Sequence, residues 1–373
     1  MSYLPFARVS IDEETIAGVC QVLRSGWIAT GPYVARFEAA LSAYVGGRPV
    51  RVVTSGTAAL ELALAAAGIG PGDEVIVPAM SFAASANVVL RVGAKPVFVD
   101  VELASRNLDL ARIEAAITPR TRAIMPVHFA GLAVDMDRLL ALARSRNLRV
   151  IEDAAHAIGT TCRGRRIGSF GDLACFSFHP NKNMTTIEGG ALVLDDPDEI
   201  HRVELARFHG IQRDADNNVD VMQAGGKYNL SDVAARVGLG QLPQLDAFCE
   251  RRRALAEIYF DELSIDPPGV LPARGDAGHC WNMFTLLLPF AELNLTRVQF
   301  QEAMAKRGIG IGVHYPSIPG LTVYRKLGYD ERPFPNATRI GRETVTLPLF
   351  PQMSDDDVRR VCRELRAVLT TRT

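Results

Sequence analysis

Short β-branched runs alternate with helix-like segments through the first two-thirds of the chain. Arg51–Val53, Glu74–Val77, Pro96–Val99, Ala123–Val127 and Leu148–Ile151 read as strands. Between them, Ala58–Ala67, Ala83–Val92, Leu110–Ile117 and Met136–Arg144 carry a helical apolar period. Turn signals such as GIGPGDE, at Gly68–Glu74, punctuate the series. Repeated strand–helix crossover predicts an α/β fold with a large, mostly parallel sheet covered on both faces. Leu173–Phe178 and Gly190–Leu194 add two strands joined by a loop too short for a helical crossover, which predicts an antiparallel pair. Ser10 with Glu13 has the capping-box pattern for a helix running to about Leu23.

Beyond this sheet the pattern changes. Asp214–Gly226 is polar, contains glycine and lacks periodicity, and is expected to be a mobile loop. Ser231–Leu263 is helical with a break at Pro243, and its basic run Arg251–Arg253 is expected on a solvated face. The C-terminal third reads as a smaller α/β unit: strand Asn282–Leu288, helix Thr296–Arg307, strand Ile309–Val313 and a last helix from its N-cap Ser354 to Leu369. A large domain over residues 1–245 and a small one over 246–373 follow from this division.

Composition narrows the function. The 373 residues are 48% hydrophobic and 22% charged with a net charge of −1, which is ordinary for a globular protein. There is no long basic run, so no nucleic-acid partner is expected. No apolar stretch reaches membrane-span length, and the N-terminal MSYLPFARVSIDEE lacks a secretory signal pattern. The six cysteines are far apart with no Cys-x-x-Cys pair, so neither a metal site nor a disulfide framework is expected, and a cytoplasmic location fits.

In parallel sheets, ligands gather at the carboxyl ends of the strands. After Arg51–Val53 comes Thr54-Ser55-Gly56-Thr57, small residues opening a helix, where backbone N–H groups can meet an anion or simply be capped. Phe82 follows Glu74–Val77 and by itself reads as core. Asp153 and His156 follow Leu148–Ile151, and each has a plain alternative as a turn former or buried histidine. After the apolar run ending at Phe178 stands HPNKNMTTIEGG, with the lone Lys182, a type of residue usually exposed. An anion cradle, a carboxylate, an aromatic ring and one lysine together fit pyridoxal phosphate, whose aldehyde a lysine amine takes up and whose ring nitrogen a carboxylate pairs.

The ordered set SGWIATGP, SGTAALELAL, GDEVIVPAMSF, PVFVDVE, VIEDAAHAIG, FSFHPNKNMTTIEGG, KYNLSD and TLPLFPQMS resembles the DegT/StrS-type nucleotide-sugar aminotransferases along nearly the whole chain. That family has the aspartate-aminotransferase type of fold and depends on pyridoxal phosphate. The resemblance implies that Lys182 carries the internal aldimine, Asp153 pairs with the pyridine nitrogen, Phe82 stacks on the ring and His156 lies near its hydroxyl. Gly56, Thr57 and Ser177 would hold the phosphate. Asn229 would reach it from the neighbouring subunit, so a homodimer with shared sites is implied. Gly189–Gly190 would form a tight turn into the next strand.

H-P-x-K-x-x-T-T-x-E-G-G is similar to the sugar C-4 aminotransferases, among them those that aminate UDP-4-keto-arabinose. A nucleotide-linked 4-keto sugar as acceptor and L-glutamate as donor are thereby implied, for a cell-surface polysaccharide or another amino-sugar product. Ile187 departs from the pattern, standing where many relatives carry Gly or Ala. Trp27, Thr30, Arg213, Lys227, His314 and Tyr315 are candidates for substrate contact. A cyclitol aminotransferase and a non-catalytic regulatory protein on the same scaffold are the alternatives.

Overall fold

The computed structural model describes residues 3–263 and 269–370. The first half of the chain runs α1 (Glu13–Ser25), α2 (Pro32–Tyr44), β1 (Val50–Val53), α3 (Gly56–Ala66), β2 (Glu74–Pro78), α4 (Ala84–Arg91), β3 (Lys95–Val99), α5 (Ile113–Ala116), β4 (Thr121–Ile124), α6 (Met136–Ser145), β5 (Arg149–Asp153), β6 (Thr161–Cys162), β7 (Arg165–Arg166), β8 (Leu173–Ser177) and β9 (Gly190–Val193). The second half runs α7 (Pro197–Ala206), β10 (Ile211–Arg213), β11 (Val219–Val221), α8 (Asp232–Gln241), α9 (Leu245–Leu263), β12 (Phe284–Leu287), α10 (Arg297–Lys306), α11 (Thr322–Lys326), α12 (Pro335–Glu343), β13 (Thr344–Leu347) and α13 (Asp355–Thr370).

Seven strands form the main sheet in the order β1-β9-β8-β5-β4-β2-β3. All run parallel except β9, which is antiparallel to both neighbours. The expected β8–β9 antiparallel pair is present, with Ser177 opposite Gly190. Because β9 alone is reversed, the carboxyl ends of the other six strands share one edge. Both faces of the sheet are dry. One apolar cluster gathers α3, α4 and alternate strand residues such as Val75 and Val77; the other gathers Phe37, Ile76, Val150 and Phe176 with α2 and α6. A third cluster, from Leu255 to Val368 with Leu4, lies around β12, β13, α9, α10 and α13. Among the described residues no helix is long and apolar enough to cross a membrane.

Several local expectations need correction. Helix α1 is capped by Asp12, whose carboxylate accepts from Thr15 N at 2.7 Å; Ser10 lies outside it. Leu110–Ile117 is a 3₁₀ turn followed by the single-turn α5, because Pro119 soon ends the run. The 214–226 segment is partly ordered: β10 and β11 pair as a hairpin, with Asp214 accepting from the amides of Asp216 and Asn218 at its tip. Ile309–Val313 is not a strand and makes only isolated bridges, Ile309 to Leu4 and Gly312 to Thr346. The partner of β12 is β13.

The basic run also divides. Arg252 is buried, and its Nη1 donates to the carbonyls of Leu349, Asn282 and Trp281 at 2.7, 3.2 and 3.4 Å. A helix repeats every 3.6 residues, so three consecutive arginines cannot share one face; the middle one here turns inward. The break at Pro243 and the N-cap at Ser354 are as expected, the latter accepting from Asp357 N at 3.1 Å.

Candidate active site

The shared strand edge opens into a cavity of about 370 Å³. Each sheet contribution comes from the last residue of a strand or just beyond it. Gly56 and Thr57 follow β1, Phe82 follows β2, Asp153 ends β5 with His156 shortly after, and Ser177 ends β8. Lys182 enters from the β8–β9 loop, and His314 and Tyr315 enter from the C-terminal part of the chain.

The anion-binding wall is built by helix α3. A helix leaves its first N–H groups without intrahelical partners. The Ser55 hydroxyl satisfies Ala58 N at 3.0 Å, which leaves the Gly56 and Thr57 amides at the cavity. The positive end of the helix dipole adds to their pull on an anion. Close packing explains the glycines. A Cβ on Gly56 would lie 2.8 Å from Ser177 Cβ, and one on Gly190 would lie 2.4 Å from the Ser55 carbonyl carbon. The Gly189–Gly190 pair therefore serves close approach, with no left-handed turn. The left-handed residue of this loop is Ile187, at φ 73°.

The lysine loop is tied at its neck and its flank. Phe178 N donates to Gly189 O at 2.9 Å and Thr186 N to Phe178 O at 3.0 Å. The buried Asn183 amide donates to Cys280 Sγ at 2.7 Å and Ile158 O at 3.3 Å, anchoring the residue beside Lys182. Lys182 itself is half-buried. Loss of hydration lowers its ammonium pKa to about 8, with the Asp153 carboxylate opposing that shift.

Asp153 is buried, and desolvation pushes its carboxyl pKa up. Four features of the chain oppose that rise: the Ser85 hydroxyl at 2.6 Å from Oδ2, the Ala155 amide at 3.2 Å from Oδ1, and nearby Lys182 and His128. His156 Nδ1 accepts from Ala130 N at 3.3 Å, so the ring proton sits on Nε2, 3.5 Å from the Tyr315 hydroxyl. Burial drives His156 well below the ordinary histidine range, with Lys182 adding to it, so the ring is neutral. His314 is lowered to about 4 by burial and by Lys182, and its Nδ1 lies 2.7 Å from Thr346 Oγ1. Burial pushes the Tyr315 hydroxyl up, so it keeps its proton.

Phe82 is 57% exposed, with its ring centroid 5.7 Å from that of Tyr315. A lone phenylalanine reads as core, yet this one presents its ring to the cavity.

Trp27, Thr30, Arg213, Lys227 and Asn229 do not line this cavity. Thr30, Lys227 and Asn229 form their own cluster: Asn229 donates to Thr30 Oγ1 and accepts from Lys227 Nζ, while Tyr228 O takes the Thr54 amide at 2.7 Å. Trp27 is largely exposed, and Arg213 lies on the β10–β11 hairpin, donating to Asn217 O at 3.1 Å.

Sequence reasoning passed over Ser81 and Ser85, which flank Phe82. Ser85 is buried behind Asp153, and Ser81 lies 3.0 Å from it. The sequence carries no signal for them: Ser81 precedes helix α4 and Ser85 is its second residue, so no helical period links the pair.

The sheet, the strand-edge cavity and the lysine–carboxylate pair define a transferase class whose members act through a bound aldehyde cofactor. The sequence profile of the DegT/DnrJ/EryC1/StrS aminotransferase family matches residues 9–366, and the chain belongs to that family. It is 40% identical over 378 residues to the spore coat polysaccharide biosynthesis protein SpsC of Bacillus subtilis (strain 168), covering 98% of this chain and 97% of SpsC. Among solved structures, Spr1654 from Streptococcus pneumoniae in its PMP-form superposes with a TM-score of 0.92 at 33% identity, covering 98% and 99% of the two chains. DesI in the presence of its TDP-sugar product gives 0.89 at 30% identity, covering 100% of this chain and 94% of DesI.

Proposed function

We propose that this aminotransferase uses pyridoxal phosphate, takes an amino group from L-glutamate and delivers it to the 4-keto carbon of a nucleotide-linked sugar. The observation that carries the reading is that Lys182, Asp153 and the open start of helix α3 line one cavity. Gly56, Thr57 and Ser177 would hold the phosphate, Asp153 the ring nitrogen, His156 the ring hydroxyl and Phe82 the ring face. The tight packing beneath Gly56 and the buried carboxylate fit such a group. When bound, the cofactor supplies an aldehyde that bonds to amines and a protonated ring that takes up the electrons left at an amino acid's α-carbon.

The side chains supply the rest. Lys182, with its pKa lowered to about 8, has a substantial neutral fraction near neutrality and serves as the base that moves a proton to and from carbon. The neutral His156 presents Nε2–H as a fixed donor. Tyr315 and His314 close the cavity from the C-terminal side and are suited to contact the sugar.

The 4-keto assignment rests on the HPNKNMTTIEGG pattern, and the TDP-sugar in DesI supports a nucleotide-linked acceptor. The likeness to SpsC favours a polysaccharide amino sugar. Six free cysteines suit a reducing compartment such as the cytoplasm. Division into domains at residues 1–245 and 246–373 is part of the proposal; the third apolar cluster supports it, while Met283, Tyr315 and Ile340 pack with the sheet's cluster. Asn229, Lys227, Thr30, Trp27 and Arg213, all outside the chain's own cavity, would serve the cavity of a second copy in a homodimer.

The test is an absorbance spectrum of the purified protein, before and after L-glutamate and then after nucleotide 4-keto sugars. A visible band that glutamate bleaches and one such sugar restores is expected; no band after added pyridoxal phosphate would refute the reading. For the shared site, mixing inactive Lys182→Ala and Asn229→Ala proteins should regain activity, because a mixed dimer holds one intact site. An inactive mixture that has exchanged subunits counts against it.

A further inference from the structure

Asp153 is backed by a chain of two hydroxyls: Ser85, which lies outside the cavity lining, and Ser81, which reaches the cavity wall beside Phe82. Ser85 Oγ lies 2.6 Å from Asp153 Oδ2, Ser81 Oγ lies 3.0 Å from Ser85 Oγ, and both serines are buried. Ser85 also lies 3.3 Å from Phe82 O, but a serine has one proton, and the shorter bond to a carboxylate is the stronger. The Ser85 proton therefore goes to Asp153. Ser81 can then donate to the Ser85 oxygen, and hydrogen bonds in series strengthen one another. Ser81 follows β2, Ser85 is the second residue of α4 and Asp153 ends β5, so the chain links the β2–α4 connection to the end of β5.

The geometry has a chemical consequence. A buried carboxylate loses its hydration, and unless donors replace it the group takes up a proton. Among the described residues, the Ala155 amide at 3.2 Å and the Ser85 hydroxyl are its hydrogen-bond donors. Ser85 is the nearer and the better placed. The two donors divide the carboxylate between them, Ser85 on Oδ2 and the Ala155 amide on Oδ1, and each oxygen keeps a further lone pair.

We propose that Ser85, backed by Ser81, is a positioning residue that holds the Asp153 carboxylate in one orientation and in its charged form for a protonated ring nitrogen. This rests on the pyridoxal-phosphate reading above. Other groups that act on Asp153 are Lys182 and His128, and its charge acts in turn on Tyr315 and Cys175. None of these four donates a hydrogen bond to the carboxylate, so none replaces Ser85.

The experiment uses the full chain reconstituted with pyridoxal phosphate carrying ¹⁵N in its ring. The ring-nitrogen chemical shift reports whether that nitrogen holds a proton, and an absorbance titration gives the dissociation constant. Ser85→Ala is expected to shift the ring nitrogen toward its unprotonated value and to weaken binding roughly tenfold. Ser85→Thr, which keeps the hydroxyl, should restore the wild-type shift, and Ser81→Ala should move it in the same direction by less. A purely structural role would weaken binding without moving the nitrogen shift. If Ser85→Ala does not fold, Ser85→Cys is read in the same way, because a thiol is nearly the same size and a weaker donor. Wild-type shift and affinity in the variant would overturn this inference alone. A wild-type protein that takes up no cofactor would overturn the underlying reading and this inference with it.

Discussion

Asp232 caps helix α2 from 198 residues away, accepting the Val34 amide at 2.9 Å. The same carboxylate takes the amides of Gly31 at 2.9 Å and Tyr33 at 3.2 Å, and it is fully buried. Helix α2 begins with Gly31-Pro32 and has no capping side chain of its own. Asp232→Ala would leave these donors unpaired beside a lost negative charge. A loss of at least ~2 kcal/mol in unfolding free energy is expected, read from the urea midpoint. Asp232→Asn should lose less; an unchanged midpoint in the alanine variant would show that water replaces the cap.

Lys182 should titrate far below an ordinary lysine. Burial lowers its pKa to about 8, so in the apo protein the reactive neutral amine predominates above that pH. Below it, the neutral fraction falls about tenfold per pH unit. Acetic anhydride labelling, read peptide by peptide, should give a midpoint near 8 for Lys182. A midpoint above 10 would mean that the side chain is solvated and the cavity offers no activation.

Gly56→Ala should damage the anion cradle without unfolding the chain. The new methyl would sit 2.8 Å from Ser177 Cβ, inside van der Waals contact, and would push β8 and α3 apart. The cofactor dissociation constant, from a fluorescence titration, is expected to rise tenfold or more, since a displaced amide loses its bond to an anion. The far-ultraviolet circular dichroism should stay as in wild type. Unaltered affinity would place the phosphate elsewhere.

Ile187→Gly should stabilise the protein. A β-branched residue at φ 73° is an outlier, because its Cβ crowds the neighbouring carbonyl, at about 1–2 kcal/mol. Glycine relieves that strain but gains freedom in the unfolded chain, which returns about half of it. A net gain of roughly 0.5–1 kcal/mol is expected in thermal unfolding. The Ile187 side chain is 52% exposed, so little buried apolar area is lost. A lower melting temperature would mean that the side chain makes contacts worth more than the strain.

The strand–helix alternation was legible because it depends on local period. β2, β5 and β8 lie where their apolar runs predicted, and β8–β9 is antiparallel because a short loop allows nothing else. The cavity residues Gly56, Thr57, Phe82, Asp153, His156 and Ser177 were legible because parallel topology sends the carboxyl ends of all strands but β9 to one edge, and Lys182 because it stands in the loop that leaves β8 there.

What local pattern could not supply was which polar groups find each other across the chain. Arg252 looked like one of three solvated arginines and instead collects three carbonyls in the interior. Ser10 looked like the cap of α1, but Asp12 has the closer geometry. Nothing around Ser85 announced that Asp153, 68 residues on, would need its proton. The sequence by itself determined the elements, their order and the edge at which chemistry gathers, since periodicity and turn residues act over a few positions. Only the tertiary structure decided which buried charges are satisfied and by whom. Burial strips away water, and the replacement donors come from whichever strand ends the fold brings together.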